Sequence, residues 1–170
     1  MTTEIALLVI VAELSDLNPD GNHALDQLMI YMLKMWQGMS VGTGFVPKEP
    51  GPFSRQLAKA LTLRNSGALA RPKQFMLADA AQKHVTDFKD FVRITCPPGL
   101  MYKTWTAAVT NACYYDRFFQ NDIGRKRLTR IIATRAAVAD EHASAALDAV
   151  LFWQPEDTRK WIDPSGRKLA

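Results

Sequence analysis

Apolar residues recur along most of this chain at spacings of three and four, the period of a helix buried along one face. Nowhere does apolar–polar alternation hold for the length of a strand. Ile5 to Ala12 are apolar without interruption, and a buried strand there would need a partner of the same kind, which the chain lacks. The pattern predicts a helix over about 3–15, buried on most sides, with Thr2 or Thr3 near its N-cap. "LNPDGN" breaks the chain. Asn22 then caps a second helix from His23 to about Gly38, with Leu25, Met29, Met32, Trp36 and Met39 as its buried stripe. Residues 38–52 hold four Gly and three Pro and read as the one long loop.

Pro52 suits the first turn of a short helix at about 53–64, which turns Phe53, Leu57 and Leu61 inward and Arg55 and Lys59 outward. A helix from about 73 to 94 buries Leu77, Ala81, Val85, Phe88 and Val92 and stops at "CPPG". Another at about 101–119 carries Trp105, Val109, Ala112 and Phe119 on one side. After the corner "QNDIG" the pattern supports a single long helix, about 123–153. A small helix near 156–162 docks Trp161, and 163–170 reads as a tail. The predicted fold is all-α: one compact domain of six or seven helices over 1–162, with a C-terminal antiparallel hairpin containing the long helix.

The inner face of that long helix reads Leu128, Ile132, Arg135, Ala139, His142, Ala146, Ala149, Trp153, a heptad-like seam. Arg135 and His142 interrupt it. A buried guanidinium needs a carboxylate or an anionic ligand, and Asp116 occupies an inward position on the preceding helix. An Asp116–Arg135 ion pair is the structural expectation; a pocket built from Arg135, His142 and Asp116 is the enzymatic alternative.

Composition narrows the function classes. With 48% hydrophobic and 22% charged residues the chain is globular rather than disordered. Cys96 and Cys113 form neither a disulfide framework nor a metal spacing. The apolar run near the N-terminus is too short to span a bilayer, and no base precedes it as in a signal peptide. These features predict a cytoplasmic protein with no membrane contact. "GTG" followed by Lys48 invites a phosphate-loop reading, but no strand precedes it and the Gly-Lys-Ser/Thr ending is missing. Three scattered His residues do not make a metal site, and Ser144 has no nucleophile elbow. The expectation is no catalytic residue, no metal and no cofactor.

Charge changes the picture most. The formal net charge is +4, but residues 1–50 carry two bases against six acids and residues 51–170 nineteen against eleven. Between Glu49 and Asp79 there is no acid, while Arg55, Lys59, Arg64, Arg71 and Lys73 supply five bases. In "NDIGRKRLTRIIATR" Asp122 is the only acid beside five bases. Lys126, Arg127 and Arg130, with Arg125 beside them, lie opposite Leu128 and Ile132 and near a helix N-terminus. Cations there work slightly against the helix dipole, so helix energetics do not account for them. Phosphate is the matching partner, and an exposed member of Tyr114, Tyr115, Phe118 and Phe119 could stack a base.

The resulting expectation is a non-enzymatic helical accessory protein that contacts DNA or RNA phosphates within a nucleic-acid-handling assembly. Its acidic, Met-rich N-terminal third would meet protein neighbours or another copy. By composition, without a shared motif, the chain resembles helical small subunits of RNA-guided effector complexes or plasmid and phage accessory proteins. The competing class is an adaptor or inhibitor whose basic face meets an acidic protein.

Overall fold

The computed structural model describes residues 2–65 and 76–153. Among these residues are seven helices and no strand: α1 (Thr3–Glu13), α2 (His23–Met35), α3 (Arg55–Asn65), α4 (Asp79–Thr95), α5 (Tyr102–Phe119), α6 (Arg125–Ala136) and α7 (Asp140–Phe152). The all-helical expectation holds. The expected helix at 156–162 with Trp161, the tail at 163–170 and residues 66–75 between α3 and α4 lie outside the described residues. The chain gathers into two compact units, Met1–Thr86 and Asp87–Ala170.

In the first unit α1 packs against α2 and α3. Leu7 to Val11 are all buried, so α1 has no polar stripe to present. This explains why its run looked like a strand: a helix buried all round loses its period of 3.6. Thr2 caps it, its hydroxyl accepting from the Ile5 N–H. Asn22 caps α2 in the same way, accepting from the Leu25 N–H at 3.1 Å. Met29, Met32 and Met39 are buried and only Met35 of this group stands exposed. The methionines of the expected stripe thus fill the core, as flexible thioethers often do.

Two further details depart from the pattern. Phe53, expected to face inward, is 37% exposed. It lies outside α3, whose cap is Ser54, the hydroxyl of which accepts from the Leu57 N–H. The Phe53 backbone pairs instead with Val46, each N–H donating to the other's carbonyl at 2.8 and 3.0 Å. That extended pairing keeps Phe53 out of the helical stripe to which Leu57 and Leu61 belong. Helix α4 starts at Asp79 rather than near 73, which leaves Leu77 before it and half-buried. Val85, Phe88 and Val92 are buried as expected, and Phe91 joins them.

In the second unit α5, α6 and α7 pack against one another in every pairing. Trp105, Val109 and Ala112 are buried, together with Tyr114 and Tyr115. The single long helix at 123–153 is not formed. α6 ends at Ala136, and Ala137 adopts the left-handed conformation at φ 54° and ψ 48°. The N–H groups of Ala137 and Val138 both close on the Ala133 carbonyl, which satisfies the end of the helix. α7 restarts at Asp140 with Asp140 and Glu141 in its first turn, where carboxylates suit the helix dipole.

An alanine in the left-handed region costs roughly 1 kcal/mol that glycine does not. Ala137→Gly is therefore expected to stabilise the second unit by about 0.5–1 kcal/mol, read as slower amide exchange along α6 and α7. A loss of protection would mean that Ala137 is not held in this conformation.

Candidate functional site

Breaking the long helix dissolves the proposed seam. Leu128, Ile132, Ala146, Ala149 and Trp153 are buried, but Arg135 and Ala139 are exposed and His142 is half-buried. Arg135 is an exposed residue on the last turn of α6, where a cation suits the helix C-terminus. The premise for an Asp116–Arg135 pair, a buried charge in need of compensation, does not hold. Asp116 is half-buried rather than sealed inside.

The basic cluster of α6 divides in two. The Arg125 guanidinium reaches across to α7, donating to the Asp148 carboxylate at 2.5 Å and to the Ser144 hydroxyl and carbonyl at 3.1 and 3.2 Å. Arg125 is thus a fastener between two helices, a role no local pattern signals because Asp148 lies 23 residues away. Lys126, Arg127 and Arg130 are all exposed, while Leu128, Thr129, Ile132 and Ala133 take the buried face. Among the described residues no acid or acceptor engages these three cations. No acid sits in the first turn of α6, and its N-cap is Gly124, which supplies no side-chain cap. The outward face of this helix start is uniformly positive.

Of the aromatic residues just before the cluster, Tyr114 and Tyr115 belong to the core. Phe118 is the member that reaches the surface, its ring 5.7 Å from Tyr114 and 5.0 Å from Phe119. Cys113 lies deep in the same helix, and burial pushes its thiol up to about 12, which removes it as a nucleophile.

The bases of the first unit have separate surroundings. Lys59 stands 4.0 Å from the Glu4 carboxylate. Arg55, exposed, opens α3 and lines a cleft with Lys48. Arg64 is half-buried and its charge acts on Asp26. Arg71 and Lys73 lie outside the described residues. The three His residues are dispersed, and among the described residues no group of His, Cys, Asp or Glu converges as a metal site would require.

Asp26 is a feature the sequence reading missed. Its carboxyl is buried, with Oδ1 accepting from the Asn18 side-chain amide at 2.8 Å and Oδ2 without any partner among the described residues. The signal was available, because Asp26 shares a helix face with Met29, Ile30 and Leu33. Burial raises its pKa above the ordinary carboxylate value; the Asn18 hydrogen bond, Arg64 and His23 oppose that shift.

A group that holds its proton more tightly when folded stabilises the fold below its unfolded pKa, and loses that contribution as pH rises through the folded pKa. The first unit should therefore gain stability on mild acidification, in the window just above the ordinary Asp pKa of 3.8. Asp26→Asn should flatten that part of the stability–pH profile, measured by thermal melts from neutral to mildly acidic pH. An unchanged slope would assign the pH dependence to other groups.

No helix among the described residues is long and apolar enough to cross a membrane. Comparison with protein-family models, with curated proteins and with solved structures gives no match to this chain.

Proposed function

We propose that the second unit binds the phosphate backbone of nucleic acid through the outward face of α6, and that the protein is a non-enzymatic accessory component of a nucleic-acid-handling assembly. In this reading α5 and α6 act as a helical hairpin whose turn, residues 120–124, brings the helix start to the partner. One observation carries the proposal: Lys126, Arg127 and Arg130 share an exposed helix face with no acid or acceptor engaging them among the described residues. Three flexible cations at a helix start match phosphate oxygens by charge and donor geometry, and they read no base sequence. Phe118 supplies a ring for an unstacked base.

The test is binding of labelled single- and double-stranded oligonucleotides to the full chain across a salt series. Three phosphate contacts on duplex predict a log–log salt slope of about −2.7, and a shallower one of about −2 on a single strand. Lys126→Ala/Arg127→Ala/Arg130→Ala should remove most of that slope and weaken binding to every sequence alike. No binding at 50 mM salt or below would sink the proposal and leave an acidic protein as the partner that fits this face. Binding that the triple variant retains in full would place the contact elsewhere.

A further inference from the structure

The loop between α2 and α3 is held as a defined structure from within the first unit. The Gln27 side chain accepts from the Ser54 N–H at 2.9 Å and donates to the Ser54 carbonyl at 3.1 Å. The Thr43 and Ser54 hydroxyls share a hydrogen bond of 2.7 Å, and the Lys34 ammonium donates to the Thr43 carbonyl. Between these anchors the Val46–Phe53 backbone pairing closes the arm that carries Lys48. The Lys48 ammonium sits 4.9 Å from the centre of the Phe53 ring.

Lys48 and Phe53 line two clefts at once, each of about 360 Å³. The first opens between α2 and α3, with Ala24, Leu28 and Leu61 as its floor and Pro50 and Pro52 as a wall. It is mostly apolar, and its one carboxylate is Glu49. The second is bordered by Thr43, Gly44, Arg55 and Gln56, and its lining holds two cations and no acid. Volumes of this order are those of small-molecule sites, where an apolar enclosure holds the body of a ligand and a few polar groups orient it.

We propose that the two clefts form one binding site for a small organic anion. Its apolar or aromatic body occupies the cleft between α2 and α3, and its acidic head lies between Lys48 and Arg55. Charge favours this orientation. A head placed in the first cleft would meet the Glu49 carboxylate beside His23 and Lys48, whereas the lining of the second carries Lys48 and Arg55 and no carboxylate. Phe53, which lines both clefts, gives the combined site a flat apolar edge. A loop with a glycine-rich start and a lysine thus serves an anion after all, but without phosphate-loop geometry: its second cation comes from the start of α3.

The probe is 8-anilinonaphthalene-1-sulfonate, an aromatic body with one anionic head, titrated into the full chain by fluorescence under native conditions. Saturable binding at one site per chain is expected. Lys48→Ala/Arg55→Ala should weaken it at least tenfold, and N-phenyl-1-naphthylamine, which lacks the sulfonate, should bind at least tenfold more weakly than the acid. Ala24→Trp, at an exposed position of α2, should fill the apolar cleft and abolish binding while the thermal melt stays cooperative. If that variant loses its melt, Leu28→Met tests the same wall by a change in affinity at constant volume. Lys126→Ala/Arg127→Ala/Arg130→Ala should leave the titration unchanged. Absent or non-saturable fluorescence, or equal binding of the uncharged analogue, would overturn the site.

Discussion

Trp105→Ala is expected to destabilise the second unit by about 3–5 kcal/mol, among the largest losses a single substitution here can cause. The side chain is 1% exposed near the start of α5. Its indole N–H donates to the Thr95 hydroxyl at 2.9 Å, and that hydroxyl donates to the Phe91 carbonyl at 2.7 Å. Truncation removes the buried ring, leaves a cavity and breaks a relay that ties α5 to the end of α4. Trp105→Phe separates the two effects. It keeps most of the apolar volume and should cost about 1–2 kcal/mol, the value of a buried hydrogen bond together with imperfect refilling. Amide exchange in α5 and at the end of α4 reads both changes locally, which matters in a chain with two units. A loss below 1 kcal/mol for the alanine variant would contradict the packing described.

Gln27→Ala is expected to cost the first unit about 2–4 kcal/mol, because it strands two backbone groups of Ser54 where water does not reach them. Ser54 is fully buried, and the Gln27 amide meets both its N–H and its carbonyl. The effect should extend beyond stability. Ser54 caps α3 and anchors Thr43, so releasing it loosens the arm that carries Lys48 and Phe53. The same variant should therefore lose binding of the organic anion while α6 remains intact and its response to oligonucleotides is unchanged. Gln27→Glu keeps an acceptor for the Ser54 N–H and loses the donor to the carbonyl, so it should fall between wild type and alanine. Faster exchange of the Ser54 amide in the alanine variant, with little change in the glutamate one, is the local signature.

Helix boundaries followed local chemistry wherever local chemistry was decisive. Thr2 and Asn22 were legible as caps because a hydroxyl or amide oxygen three residues ahead of an N–H serves that end of a helix regardless of the rest of the fold. "LNPDGN" and "CPPG" ended helices for equally local reasons. The break at Ala137 was not legible. "ATRAAVADEH" has no Gly, Pro or Asn at the turn, and every residue before Asp140 suits a helix interior. The only trace was the pair of acids at 140 and 141, which suit a helix start. What bends the chain there is the packing of α6 and α7 on each other and on α5, which outweighs the roughly 1 kcal/mol cost of a left-handed alanine.

The same distinction runs through the candidate sites. Spacing alone placed Lys126, Arg127 and Arg130 opposite Leu128 and Ile132, since one helical turn sets that relation. Spacing could not separate Arg125 from them, because its partner Asp148 arrives from another helix. Arg135 looked buried only while one uninterrupted helix carried it to the inner face. Asp26 and Gln27 carry no local mark that sets them apart from other polar positions of an amphipathic helix, and residues 38–52 read only as one long loop. By itself, the sequence determined that the chain is helical, where most helices begin, and that α6 turns Lys126, Arg127 and Arg130 away from its buried face. These follow from periods of three and four and from capping groups acting within one turn. Tertiary structure decided the break after Ala136, the fastening of Arg125, the burial of Asp26 and the pairing of Lys48 with Arg55 around one cleft. Each depends on groups 7 to 23 residues apart in sequence, or on elements packing together, and that is information no local period contains.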